Sequence, residues 1–138
     1  MSTLYTSHDD RWEWDDDILC YDGVPFTGMV QDRYPDGVLE SEEHYQEGFL
    51  QNYKKWYPNG KLKEEWVCQL FRPDSVCKYH KSIKTCWHPN GSVKSICHYE
   101  FGLEVEYKEW DEEGKLVESR RRDPNDKLWV KFRKIYSE

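Results

Sequence analysis

The chain has 138 residues, of which 37% are apolar and 34% charged, contains no alanine, and carries a formal net charge of −7. That length suits one domain with a core of its own, and the lack of alanine beside 16% aromatic residues favours pleated sheets over helices. Residues 1–48 hold thirteen acids against two bases, leaving the rest of the chain net positive; such a field disfavours nucleic acid and anionic lipid at the front third and attracts a basic partner, or it serves only to keep the protein soluble.

Residues 1–16 read as a flexible acidic segment. Nothing near the start resembles a signal peptide and no apolar run is long enough to cross a membrane, so a cytoplasmic location is expected. From residue 17 onward a turn signal recurs: Tyr34-Pro35-Asp36-Gly37, Tyr57-Pro58-Asn59-Gly60, His88-Pro89-Asn90-Gly91 and Asp111-Glu112-Glu113-Gly114. Its glycines are spaced by 23, 31 and 23 residues. Proline presets φ at the second turn position, Asp or Asn suits the third, and glycine takes the left-handed corner that closes the turn. A second glycine follows eleven residues later in two copies, Gly48 and Gly102, so each repeat of 23 residues holds two turns and two short strands. The fold class expected is mainly β, a single-domain antiparallel meander of hairpin repeats forming an elongated twisted sheet.

Position by position, Arg33, Trp56, Trp87 and Trp110 precede the turn glycines by four residues, and Leu39, Leu62, Val93 and Leu116 follow them by two. These ladders are expected to stack on one face. Leu39, Ser41, Glu43 and Tyr45 alternate with Glu40, Glu42 and His44, as in a strand with one wet side. Phe71 stands where the other copies have a second-turn glycine, which places an inserted loop at about residues 69–80. Beyond Arg120-Arg121-Arg122 and the Asp123-Pro124-Asn125-Asp126 turn, the alternation of Leu128, Val130 and Phe132 with Trp129, Lys131 and Arg133 predicts a terminal strand over about 127–136, its charges guarding a sheet edge.

The run from Asp17 to Gly28, with Pro25-Phe26-Thr27-Gly28 at its end, and the copies beginning at Tyr34, Tyr57 and His88 resemble MORN-repeat-variant proteins of the YwqK antitoxin type. The resemblance spans about residues 17–118 and makes 17–138 a MORN-like β-repeat domain. It implies an immunity protein or antitoxin that binds a bacterial toxin and occludes its active surface, with no catalytic residue attached to the motif. The alternative is a MORN-like structural scaffold that self-associates or sits near membranes.

Chemistry of other kinds finds little support. Cys77, His80, Cys86, His88, Cys97 and His98 crowd the middle of the chain, yet no Cys-x-x-Cys or His-x-x-x-His couple exists, so no metal and no cofactor are expected. Cys77 and His80 lack an orienting third group, and adjacent carboxylates on a strand point apart, so no enzyme activity is expected. The terminal arginines and lysines balance the acidic front better than they suit nucleic acid. Five cysteines without close spacing read as packed thiols.

The candidates for partner contact are Trp12, Trp14, Asp15, Asp16 and Asp17 outside the repeats, Tyr34, Glu40, Glu42 and His44 within the first repeat, and Phe71, Arg72 and Tyr79 at the insertion. The partner expected is a cognate protein toxin, a basic nuclease being the kind its charge would suit, with neither nucleic acid nor membrane bound.

Overall fold

The computed structural model describes residues 4–136. The chain divides into two compact units, one ending at Glu65 and the other beginning at Trp66. In both, successive strands pair as antiparallel hairpins, the meander that the turn signals foretell.

The first unit opens with a small sheet of β1 (Trp12–Asp15), β2 (Ile18–Tyr21) and β3 (Val24–Pro25), followed by the repeat strands β4 (Gly28–Arg33), β5 (Leu39–Gln46) and β6 (Phe49–Trp56). Its core lies between them: Leu19, Phe26, Val30 and Tyr45 are buried, with Tyr5, Trp12, Tyr21 and Leu50 packed around them. The N-terminal segment is therefore built into the fold and is not the flexible arm expected for residues 1–16, of which Met1–Thr3 lie outside the described residues. The reason is aromatic: the rings of Tyr5 and Trp12 each sit 4.8 Å from that of Phe26, and Tyr5 bridges to Val30 while its carbonyl accepts the Gln31 amide at 2.8 Å. Burying three such rings outweighs the chain entropy that an acidic composition suggests would win.

β7 (Leu62–Phe71) carries the boundary between the units. In the second unit β8 (Tyr79–Trp87), β9 (Val93–Glu100), β10 (Leu103–Trp110) and β11 (Leu116–Arg121) pair in chain order. The insertion is shorter than expected: strands extend to Phe71 and resume at Tyr79, leaving a loop over 72–78 closed by the Arg72 amide donating to the Lys78 carbonyl at 2.7 Å. Phe71 and Tyr79, read as loop residues, are strand ends whose rings meet at 5.2 Å.

The chain ends in a helix, α1 (Lys127–Tyr136), where a terminal strand was expected. Asp126 caps it, its side chain accepting the Trp129 amide at 3.1 Å and its carbonyl the Val130 amide at 2.9 Å. Arg133 and Lys134 fall in the last turn, where cations suit the helix dipole. Leu128, Phe132 and Ile135 also stand at helical spacing, so a short alternation was ambiguous and the cap decided it.

All four turn signals adopt one geometry. The amide of the turn glycine donates back to the first turn residue, as in Gly37 to Tyr34 at 2.8 Å and Gly114 to Asp111 at 3.0 Å, and that first residue donates to the one after the glycine. In three copies the third-position side chain accepts the amide two residues on: Asp36 from Val38, Asn59 from Lys61 and Asn90 from Ser92. The fourth copy has Glu113 there, and Asp111 takes over from the first position, accepting the Glu113 and Lys115 amides at 2.9 Å. The second turns are left-handed pairs, Glu47-Gly48 and Phe101-Gly102, as two-residue hairpins require.

The first turn residue also ties neighbouring repeats together. Tyr34 donates its hydroxyl to the Trp56 carbonyl at 2.6 Å, and His88 donates Nε2 to the Trp110 carbonyl at 2.8 Å. Tyr and His exchange at this position because both place a donor at that reach.

Candidate functional site

The predicted contact residues fall into separate groups. In the first unit Trp12 is half-buried in the aromatic nest and donates its indole N–H to the Thr6 carbonyl at 2.7 Å, so its main task is structural. Trp14, two residues on, is 62% exposed. Asp15, Asp16 and Asp17 form the exposed tip of the β1–β2 hairpin, with Asp16 at φ +52°. Among the described residues no cation pairs with Glu13, Asp15, Asp16 or Asp17. One exposed indole and four carboxylates without an ion pair thus share this hairpin.

The base of this hairpin is held by charge. Arg11 grips Asp9 with two hydrogen bonds at 3.0 and 3.1 Å, and Tyr21 donates its hydroxyl to the same carboxylate at 2.6 Å. The Arg11 bond, with the Tyr21 bond next, holds the Asp9 carboxyl well below the usual range, and Asp9 in turn pushes the Tyr21 phenol up to about 12. Arg11 also lies 4.8 Å above the Tyr21 ring.

Tyr34 is committed to its bond with Trp56. Glu40 is exposed, and Glu42 and His44 form a bonded pair on β5, with His44 Nε2 donating to Glu42 at 2.8 Å and Gln31 donating to it at 2.9 Å. Although burial opposes it, these donors lower the Glu42 pKa.

In the second unit Phe71 and Tyr79 stack at the neck of the inserted loop with Trp66, whose ring is 5.4 Å from Tyr79. Arg72 is exposed at the loop's start.

Sequence reasoning passed over Glu43. Its place between Ser41 and Tyr45, on the inward alternation of β5, was the available signal. It pairs with Val30 across β4 and points with it toward the N-terminal sheet.

The other residues considered for chemistry are otherwise employed. Among the described residues no three of His, Cys, Asp and Glu converge as metal ligands do. His80 is buried against the rings of Phe101 and Tyr136, with Nε2 3.3 Å from the Ser75 hydroxyl. Burial raises the thiol pKa of Cys20, Cys68, Cys77 and Cys97, which makes them weak nucleophiles near neutrality. The C-terminal arginines are consumed locally: Arg120 on Glu104 at 3.1 and 3.2 Å, Arg121 on Glu106 at 2.9 Å, and Arg122 on the Glu104 carbonyl and Asp126. No helix among the described residues is long and apolar enough to cross a membrane.

Comparison with known families places a MORN repeat variant at residues 26–47, 52–67 and 83–100. These segments coincide with the hairpins around Gly37, Gly60 and Gly91, and they make the chain similar to a repeat scaffold. No curated protein matches the chain.

Proposed function

We propose that this repeat protein is an immunity protein or antitoxin that acts in the cytoplasm by binding a basic bacterial toxin and covering its active surface, without bond-making chemistry of its own. The observation that carries the reading is the β1–β2 hairpin, where Trp14 stands 62% exposed among carboxylates that have no cation of their own. Unpaired charge steers a basic partner and raises its rate of encounter, and an exposed indole supplies the apolar anchor that holds a complex once formed. The repeat strands serve as the rigid support for that hairpin.

Co-expression with the product of the adjacent reading frame tests this. The expected outcome is rescue of growth together with co-purification of the two proteins. Replacing Asp15, Asp16 and Asp17 with lysine is expected to slow association by about tenfold or more at low salt and to change dissociation little. A neighbour that is harmless alone, or an association rate indifferent to ionic strength, would remove the support for this reading.

One observation favours a second reading, a scaffold that self-associates. Every residue of β11 is exposed, with Leu116 at 49% and Val117 at 53%, and an open strand is a template for another. Light scattering of the purified protein distinguishes the two, since the scaffold predicts a mass above that of one chain.

A further inference from the structure

Within the first unit an open cleft of about 230 Å3 lies between the N-terminal sheet and the strands β4 and β5. The indoles of Trp12 and Trp14 wall it, Leu19, Val30 and Tyr45 supply its apolar floor, and the Glu43 carboxylate lines it. Clefts that accept drug-sized ligands run from roughly 300 to 1,000 Å3; this one has room for a single side chain.

Glu43 decides which kind of side chain. It is half-buried, and among the described residues it receives one hydrogen bond, from the Tyr45 hydroxyl at a long 3.3 Å, and no ion pair. Burial pushes its pKa up, and the charge of Asp32 pushes the same way. Asp32 itself accepts the Ser7 amide at 3.0 Å. The cation whose field reaches Glu43, Lys55, holds its ammonium 5.2 Å above the Tyr53 ring. A carboxylate already stripped of much of its water, without a cation of its own and beside two indoles, has the makings of a receptor for a planar cation.

We infer that this cleft seats an arginine side chain of a protein partner, its guanidinium on the Glu43 carboxylate and its plane against Trp12 and Trp14. Guanidinium suits the place better than ammonium because it is more weakly hydrated, stacks on aromatic faces and meets a carboxylate with two donors. The hairpin carboxylates at Asp15, Asp16 and Asp17 lie outside the cleft lining and draw basic surfaces toward it. The inference rests on the reading that this face meets a basic protein, and it names the chemical group recognised there.

The test needs no toxin, so it can fail while neutralisation stands, and neutralisation can fail while the cleft still binds arginine. The full chain, isotope-labelled at tryptophan, is titrated with N-acetyl-arginine amide, with its neutral isostere N-acetyl-citrulline amide, and with N-acetyl-leucine amide. Arginine is expected to shift the indole signals of Trp12 and Trp14 along a saturating curve, with citrulline and leucine weaker by about five- to tenfold. Glu43→Gln keeps the shape of the side chain and is expected to bring arginine down to the citrulline level. Trp14→Ala, at an exposed position, provides a second variant that leaves the fold intact and is expected to weaken arginine several-fold, whereas Glu118→Gln, on β11, leaves the titration unchanged. Equal binding of citrulline or leucine, or an arginine curve untouched by Glu43→Gln and Trp14→Ala, would overturn the inference.

Discussion

The first unit lays a three-stranded sheet over its repeat strands and buries Leu19, Phe26, Val30 and Tyr45 to 7% exposure or less. The second unit closes with a ten-residue helix that has no buried residue, and three of its own buried residues, His80, Ser82 and Ser95, are polar. Both are made from the same hairpin. The difference shows that the repeat supplies strands and turns but leaves one face uncovered, and that whatever chain flanks the repeats determines how dry the core becomes. It also shows where individuality resides: the aromatic nest, the acidic hairpin and the cleft all come from the cover of the first unit.

The sharpest way to break this comparison is to remove one ring from each cover. Phe26→Ala empties the centre of the aromatic nest and is expected to cost about 3–5 kcal/mol in denaturant unfolding. Tyr136→Ala, which takes a ring from against Phe101 and His80, is expected to cost about 1–2 kcal/mol, since the ring is only partly buried. Equal losses would mean that the two covers matter alike.

A glycine pair sharpens the contrast. Gly48 and Gly102 hold the same place in their hairpins at φ +85° and +80°, but a methyl group on Gly48 would collide with Ile18 Cγ2 and meet the Leu19 carbonyl at 2.9 Å, whereas Gly102 faces open space. Both alanine variants bear the left-handed strain of about 1–2 kcal/mol. Gly48→Ala is expected to lose about 1–3 kcal/mol more, because the cover of the first unit rests on it. Melting curves of the two variants read the difference directly.

A smaller effect is expected at the helix cap. Asp126→Ala frees the Trp129 amide and should fray α1, read as lost helical circular dichroism with the nest signals of Trp12 unchanged. The same group gives a pH dependence. The Trp129 amide, and after it Arg122, lower the Asp126 pKa from its ordinary 3.8, so its contribution is complete above about that pH and disappears as pH falls through the lowered value. Acid titration of the helical signal should therefore steepen below pH 4, and Asp126→Ala should abolish that limb.

The smallest effect belongs to the surface charges of β10 and β11. Arg121→Ala breaks an exposed pair with Glu106 and is expected to leave the unfolding midpoint where it was.

Much of this architecture was legible in the chain. The Pro-Asp/Asn-Gly signals mark true turns because each residue type there answers a separate backbone demand, and the spacing of the glycines gives the hairpins between them. Besides the inserted loop, which is shorter than the glycine spacing suggests, two segments differ from their reading for separate reasons. Residues 127–136 carry apolar residues compatible with either period, and the deciding Asp126 cap lies one residue before them. The N-terminal stretch was judged by its acids, although its fate rests on Tyr5 and Trp12, whose ring partners Tyr21 and Phe26 are distant in sequence. At the candidate site, the residues outside the repeats divide: Trp14, Asp15, Asp16 and Asp17 are exposed while Trp12 packs into the nest, a difference that a place outside the repeat frame does not encode. Glu43 was hidden because alternation says which way a side chain points and nothing about whether a cation awaits it.

The fourth turn shows how loosely letters and shape are tied. By letting Asp111 do from one corner what Asn90 does from another, the loop keeps the same shape with a different spelling, and residues 111–114 lie beyond the segments that match the family. One pattern of backbone hydrogen bonds can therefore be written with more than one set of side chains, and here the tally of hairpins exceeds the tally of recognisable motifs.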